Sequence, residues 1–295
     1  KTILQVSKED KTYLWEPFSD NYRGIYSVHR NLYKNSYGNK VVFEEVNDDL
    51  GLTFRYQWNS SNAFGFVKKS TLVNNTLDNI QVTVLDGIQN IIPFGVGSGT
   101  QNSSSNLVDA YKKNELEVDS GIGIFALSAI IVDKAEPSEA LKASIAWSVG
   151  IDNATYLVSS LQVDNFRKGI DIQQEVDVRA EKGAYFICAE LALQPNYDKT
   201  WMIVANVNQS IIAIKEISEK IKNESNLFEI VQENIELGTK NLLELNGASD
   251  AMQLTADKLR TTRHFSNTLF NIMRGGIFDD NYQIEKFDFV KYIKI

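Results

Sequence analysis

The stretch VFEEVNDDLGLTFRYQW, residues 42–58, decides the fold class of this chain. In its second half Leu52, Phe54, Tyr56 and Trp58 alternate with polar or charged residues, and a period of two is typical of a half-buried β-strand. The Asn-Asp-Asp cluster at 47–49 contains residues that favour turns. The stretch therefore predicts two antiparallel strands joined by a turn.

The same alternation recurs on both sides of this pair. It runs through residues 80–84 and 141–149, and further turn-forming clusters separate the apolar runs. Their spacing is typical of antiparallel meanders and predicts about a dozen strands. We therefore predict a mainly β protein, with a large antiparallel β-supersandwich over residues 1–206.

The apolar period changes near residue 206. Ile214, Ile217 and Ile221 lie on one helical face, and a second stripe begins after Ser225, a candidate N-cap. Gly247 is a candidate C′ residue, and Ser249 is expected to open a third helix that stops at 275–276 (Gly-Gly). Residues 207–276 are predicted to form a helical linker, and residues 277–295 the start of a following domain.

Composition and charge disfavour several classes of function. The 295 residues carry 30 Lys and Arg against 38 Asp and Glu, a net charge of −8, and no basic stripe for nucleic acid. The longest apolar run, residues 122–132, is shorter than the roughly 18 residues of a membrane span. A lone cysteine cannot form an intrachain disulfide, and two histidines cannot build a zinc site by themselves. We expect a cytoplasmic protein without metal or cofactor.

Several chemical candidates have weak support. The glycine-rich stretch 95–100 lacks a following helix N-terminus, because residues 98–106 (SGTQNSSSN) predict a mobile loop rather than a phosphate-binding turn. Cys188 lies in a strand-like alternation that predicts a small buried hydrophobe. A triad would need His29 or His264, and no nucleophile motif accompanies either.

Two charged clusters near the C-terminal end also admit a structural interpretation. His264 shares the predicted third helix with four basic residues, which favours solvation and compensation of the helix dipole over anion binding. The carboxylates of Asp279, Asp280 and Glu285 follow the glycine pair and predict a solvated turn, although general acid–base chemistry uses the same groups.

The segment from Tyr13 to Tyr37 is unusual because it holds seven aromatic residues in 25. Sugars present apolar faces and hydroxyl edges, so their sites combine aromatic rings with carboxylate, amide and guanidinium groups. Strand packing accounts equally well for most of these rings. The irregular loop around residues 15–26 predicts a carbohydrate site. Stacking would come from Trp15, Tyr22 and Tyr26, and hydrogen bonds from Glu16, Asp20, Asn21 and Arg23.

The order of these features resembles the N-terminal region of glycoside phosphorylases related to cellobiose phosphorylase (glycoside hydrolase family 94). The resemblance covers most of the chain in layout and is weak in motif. It is carried by WEPFSDNYRG (15–24), the strand pair at 42–58, residues 66–93, and HFSNTLFNIMRGGIFDDNYQI (264–284). It implies a galactose mutarotase-like supersandwich joined by helices to an (α/α)6 barrel that holds the catalytic groups. No catalytic residue of that family can be assigned to a position in this chain.

Two functional hypotheses follow. In the first, the chain is the N-terminal domain of a bacterial enzyme of carbohydrate metabolism, a glycoside phosphorylase, hydrolase or glycosyltransferase. The domain binds an oligosaccharide or glycan and contacts other domains or a second subunit, and catalysis occurs in the following domain. In the second, the chain is a non-enzymatic carbohydrate-binding or structural β-sandwich whose helices mediate oligomerisation, for example as a homodimer.

Overall fold

The computed structural model describes residues 1–8, 11–129, 141–277 and 283–294, and it is mainly β, with 40% strand against 29% helix. The strands are β1 (Thr2–Lys8), β2 (Lys11–Trp15), β3 (Val28–Lys34), β4 (Val41–Asn47), β5 (Leu52–Ser61), β6 (Gly65–Asn74), β7 (Ile80–Ile91), β8 (Lys112–Glu117), β9 (Ile122–Leu127), β10 (Lys142–Val149), β11 (Thr155–Leu157), β12 (Asp177–Arg179), β13 (Gly183–Leu193) and β14 (Asp198–Ser210). The helices are α1 (Ser98–Ser103), α2 (Ser105–Ala110), α3 (Val163–Arg167), α4 (Ile211–Asn223), α5 (Leu227–Asp250), α6 (Lys258–Met273) and α7 (Lys286–Ile293).

The strands form two antiparallel sheets. The small sheet has the order β11-β13-β7-β1-β2, and the large sheet has the order β12-β8-β9-β10-β14-β6-β5-β4-β3. The stretch 42–58 forms β4 and β5, and Glu45 pairs in register with Phe54. The prediction of a large antiparallel β-sandwich is therefore confirmed.

The inner faces of the two sheets enclose the main core. It unites Val84 and Tyr185 of the small sheet with Phe54 and Trp201 of the large sheet, all fully buried. In β14, Trp201 and Ile203 point into this core, while Met202 and Val204 pack with residues of α5. Both faces of this strand are therefore apolar, because each face meets a different layer.

A buried ion pair lies between the sheets. The Asp86 carboxylate accepts hydrogen bonds from Thr2 Oγ1 at 2.6 Å, Ser70 Oγ at 2.9 Å and Trp201 Nε1 at 2.8 Å, and it pairs with Lys68. Burial alone would raise the pKa of Asp86. The Lys68 ammonium and the hydrogen-bond donors outweigh burial and hold that pKa below its usual range. This network links β1, β6, β7 and β14.

The helices α4 and α5 follow β14 and cover part of the outer face of the large sheet. Ser210 caps α4, and its Oγ accepts from Ala213 N at 3.3 Å. Val231 and Ile235 of α5 are buried against residues that include Trp147 of β10. Burial of this apolar stripe, rather than intrinsic propensity, stabilises such a helix.

Two predicted helix boundaries are wrong. The second helix does not end at Gly247, and the third does not begin at Ser249, because α5 continues to Asp250. Its last turns pack on α6, where Asn246 Nδ2 donates to Phe265 O at 3.0 Å. The helix α6 begins only after Asp257, whose side chain accepts from Leu259 N and Arg260 N.

The expectation of a helix-poor loop over residues 98–106 is also wrong. This segment contains α1 and the start of α2, which are six residues each. Tertiary contacts hold them, because Val108 is fully buried and Lys112 Nζ bonds Gln101 Oε1 at 2.8 Å and Asp109 Oδ1 at 2.7 Å. The domain boundaries at residues 206 and 276 stay predictions. No helix among the described residues is long and apolar enough to cross a membrane.

Candidate functional site

A cavity of about 400 Å³ lies where the loop after β2 crosses the end of β3 and β4. We call it the loop cavity. It lies close to the edge of both sheets, because β2 and β3 are edge strands. Its lining residues are Trp15, Glu16, Ser19, Asp20, Tyr22, Arg23, Gly24, Tyr26, Val28, Arg30 and Glu45.

Phe18 anchors the loop beneath this cavity. Its φ of 63° lies in the left-handed region, which is costly for a residue with a bulky side chain. The cost is offset by packing, since the ring meets Phe43, Phe54 and Tyr56 edge-on with centroids at 6.5, 6.4 and 5.3 Å. The Phe18 amide also donates to Glu45 Oε2 at 2.8 Å.

Glu45 joins the loop to the sheet. Its Oε1 accepts from Trp15 Nε1 at 2.8 Å, and its Oε2 accepts from Arg30 Nε at 2.7 Å. Glu45 and Trp15 are 2% and 1% exposed. Trp15 therefore forms part of the core, and its indole offers no open face for stacking.

Glu16 is held in the same way on the opposite wall. It is 2% exposed, and its carboxylate pairs with Lys1 and accepts from Arg167 Nε at 3.0 Å. The Arg167 contact joins two segments that are 151 residues apart in sequence. Because the carboxylate oxygens of Glu16 already pair with Lys1 and Arg167, Glu16 has a structural role in the cavity wall.

A short 3-10 turn, Asp20–Tyr22, presents the exposed part of the loop. Ser19 Oγ accepts from Asn21 N at 3.3 Å, and Arg23 N donates to Asp20 O at 3.2 Å. Gly24 follows with φ of 81°, a value that glycine adopts without strain.

Tyr22 and Tyr26 supply the aromatic surface of the cavity. Both side chains are half-buried, and Tyr26 OH donates to Leu14 O at 2.8 Å, which fixes its ring. Burial, together with the neighbouring tyrosines and Asp49, raises the pKa of Tyr26. The Tyr26 phenol therefore keeps its proton near neutral pH and retains the hydrogen bond to Leu14 O.

Arg30 connects Glu45 with the exposed rim. Its NH1 donates to Asp20 Oδ1 at 3.2 Å, and its NH2 donates to Ser19 O at 3.1 Å. The hydrogen bond to Glu45 outweighs the effect of burial and, with Asp20, raises the pKa of Arg30. The guanidinium remains charged and ties three parts of the site together.

The structure brings six of the seven predicted site residues into one cavity, and Asn21 is not among the lining residues. Sequence reasoning missed Arg30, Glu45 and Arg167. Arg30 and Glu45 are paired in register on β3 and β4, so the opposite charges on two predicted strands were an available signal. Arg167 had no such signal, because it lies on a distant helix.

A second cavity of about 530 Å³, the outer groove, lies on the outer face of the small sheet. Its lining residues are Gln5, Thr83, Asp152, Asn153, Thr155, Phe166, Gly169, Ile170, Asp171, Ile172, Cys188, Ala189 and Glu190. Burial, with a smaller contribution from Glu190, raises the pKa of the Cys188 thiol to about 12. The thiol is therefore protonated at neutral pH, but the prediction of a buried side chain is wrong, because Cys188 is half-buried and lines the groove.

The other candidates do not form a site. His264 Nε2 lies 3.7 Å from Asp250 Oδ2 on the neighbouring helix, and His29 Nε2 lies 3.0 Å from Asp48 Oδ2 on the surface. Asp279 and Asp280 lie outside the described residues. Within the described ranges, no group of three or more His, Cys, Asp or Glu side chains could hold a metal ion.

No family model matches the sequence, and no curated protein matches it. Among solved structures, the chain is similar to a protein described as a kojibiose phosphorylase from the human microbiome. Their TM-score is 0.44 and their identity 8%, over 90% of this chain and 30% of the other. A bacterial glucoamylase in complex with acarbose gives a TM-score of 0.45 and 11% identity, over 84% and 32%.

A GH92 α-mannosidase from Bacteroides thetaiotaomicron gives a TM-score of 0.34 and 8% identity, over 77% of this chain and 25% of the other. These neighbours are described as a phosphorylase, a glucoamylase and an α-mannosidase, and the likeness assigns no family to this chain. They do not separate the cellobiose phosphorylase group from the others. The chain spans about a third of the length of the first two structures.

Proposed function

We propose that the loop cavity binds carbohydrate, and that this chain is a sugar-contacting β-sandwich of a carbohydrate-active enzyme whose catalytic groups lie in another domain. One observation carries the binding part: two tyrosine rings, Tyr22 and Tyr26, line the same cavity as the exposed polar groups of Asp20 and Arg23. A volume of about 400 Å³ suits a small ligand.

The roles in this site divide by burial. Tyr22 stacks on the apolar face of a sugar, and Asp20 and Arg23 bond its hydroxyl groups. Trp15, Glu16 and Glu45 are buried and act as positioning residues, because they fix the loop rather than touch the ligand. Pre-organisation by ion pairs of this kind lowers the entropy lost on binding.

The experiment is a calorimetric titration of the protein with oligosaccharides from a glycan-array screen. We expect Tyr22→Ala to weaken binding about tenfold, or about 1.4 kcal/mol, because the stacking surface is lost. Tyr197→Ala is the matched control, since Tyr197 is 48% exposed and does not line the loop cavity. Equal affinities for the wild type and Tyr22→Ala would contradict the proposed site.

The enzymatic part requires the full-length gene product. We expect it to release reducing sugar from the bound glycan, and an assay with and without inorganic phosphate separates phosphorolysis from hydrolysis. Turnover that is absent under both conditions, with sugar binding retained, would favour the non-enzymatic alternative.

That alternative, assembly of a homodimer through the helices, is favoured by exposed apolar side chains on the last two helices. Phe270 is 52% exposed, Met273 75% and Phe287 80%. Sedimentation equilibrium tests it, because Phe270→Ser with Met273→Ser would convert a dimer to a monomer. A monomeric wild-type protein would contradict it.

A further inference from the structure

The carboxylates of the loop cavity all have a cationic partner already. Glu45 pairs with Arg30 at 2.7 Å, and Asp20 pairs with the same guanidinium at 3.2 Å. Glu16 pairs with Lys1 and Arg167 on the other wall. A cationic ligand would therefore have to displace existing ion pairs.

Arg23 differs from the other cations at this cavity. It is exposed and lines the cavity, and within the described residues no carboxylate oxygen lies within 4.0 Å of its guanidinium. Its backbone is held by the bond to Asp20 O and by a bridge to Tyr26. The turn therefore fixes the backbone of a residue whose guanidinium has no carboxylate partner within the described part of the chain.

The charges around the cavity balance one another. Lys1, Arg23, Arg30 and Arg167 face Glu16, Asp20, Glu45 and Asp164 around the site, so four positive charges are balanced by four negative charges. The whole chain carries −8. Among the described residues that line the cavity, Arg23 is nevertheless the cation with no carboxylate oxygen within 4.0 Å, so its guanidinium is the group available to an anion.

We propose that the loop cavity is selective for an anionic sugar, with the acid group of the ligand bound by Arg23 and its ring stacked on Tyr22. The inference rests on the proposed carbohydrate site and adds its substrate class. A planar guanidinium matches the paired oxygens of a carboxylate, sulfate ester or phosphate ester. A neutral sugar offers the guanidinium only uncharged hydroxyl oxygens, which form weaker hydrogen bonds with it.

The test compares ligands that differ only in charge. Trigalacturonate and galactotriose are titrated into the protein at low salt, with 6-sulfated and 6-phosphorylated galactose and inorganic phosphate as separate arms. We expect the acidic trisaccharide to bind at least tenfold more tightly than the neutral one, and the ratio to fall as sodium chloride is raised. The sulfate and phosphate arms identify which acid group is preferred, and inorganic phosphate alone should bind weakly.

Two substitutions assign the selectivity to one residue. Arg23→Gln should reduce the preference for the acidic trisaccharide to less than twofold, because the acidic ligand loses a charged pair whereas galactotriose loses only a hydrogen bond to a neutral hydroxyl group. Arg23→Lys should retain part of the preference, because lysine keeps the positive charge but lacks the planar guanidinium that donates two parallel hydrogen bonds. Arg263→Gln is the matched control, an exposed arginine on α6 that does not line the cavity.

The outcomes separate this inference from the proposed function. Equal binding of acidic and neutral trisaccharides by the wild type, or a preference that survives Arg23→Gln, overturns the anionic selectivity and leaves the carbohydrate site intact. Binding of inorganic phosphate as tight as that of the acidic sugars shows a general anion site and overturns the sugar class. Absence of binding by every sugar tested overturns both.

Discussion

The loop cavity and the outer groove differ more in charge pairing than in size. Their volumes are about 400 and 530 Å³, and both contain carboxylates. In the loop cavity every carboxylate has a cation, whereas no lysine or arginine lines the outer groove within the described residues. The class of ligand that a cavity binds therefore depends on which of its charged groups lack a partner. The number of acidic residues in the cavity does not decide it.

The largest expected effect concerns the outer groove. Because the pKa of Cys188 is about 12, only about one thiol in ten thousand is ionised at pH 8. We expect iodoacetamide to alkylate Cys188 about a thousandfold more slowly than free cysteine, and the rate to rise tenfold per pH unit. The rate is measured by mass spectrometry on native protein.

The alkylation rate of Cys188 also shows which of the two cavities a ligand occupies. The sugar that binds the loop cavity should leave the Cys188 rate unchanged, and unfolding in urea should restore the rate of free cysteine. Protection of Cys188 by that sugar would place the ligand in the outer groove and break the comparison.

The second largest effect concerns the positioning of the loop. Glu45→Ala leaves Trp15 Nε1, the Phe18 amide and Arg30 without their acceptor, so we expect the free energy of unfolding to fall by about 3 kcal/mol. The matched change in the outer groove is Glu190→Ala, on an exposed residue, and it should cost less than about 0.5 kcal/mol. Urea denaturation measures both, and equal losses would show that Glu45 does not organise the loop.

The smallest effect uses a pair of glycines. Gly24 lines the loop cavity with φ of 81°, and Gly169 lines the outer groove with φ of 72°, and a Cβ would meet no atom within 4 Å at either. Alanine at each should cost about 1 kcal/mol of stability from backbone strain alone. Only Gly24→Ala should also weaken sugar binding, by about threefold. A similar loss of affinity in Gly169→Ala would contradict the assignment of the site.

The sheets could be predicted from the sequence because apolar and polar residues alternate along a strand that is buried on one face. The runs at 52–58, 80–84 and 141–149 correspond to β5, β7 and β10; the ends of β5 and β10 differ by one to three residues, whereas β7 continues to Ile91. The helix boundaries were harder, since α5 passes through Gly247 on the strength of its contact with α6. Helix propensity depends on neighbouring residues in sequence, so it does not predict that contact. For the same reason it did not predict α1 and α2, which tertiary contacts stabilise.

The sequence predicted which residues line the candidate site, but it did not predict the role of each side chain. The aromatic and polar loop was visible, and the cavity does collect six of the seven residues. Sequence alone could not show that Trp15 and Glu16 are buried, because their partners, Glu45 and Arg167, lie 30 and 151 residues away. Arg23 was visible as a donor, but its lack of a carboxylate partner among the described residues is a property of the folded chain.

The strand β14 has a consequence for biosynthesis. It lies between β10 and β6, so it joins the half of the large sheet built from residues 28–74 to the half built from residues 112–179. Neither half can pair with the other until residues 198–210 have left the ribosome. Until then β6 and β10 each expose an unpaired strand edge, and such an edge can pair with another chain.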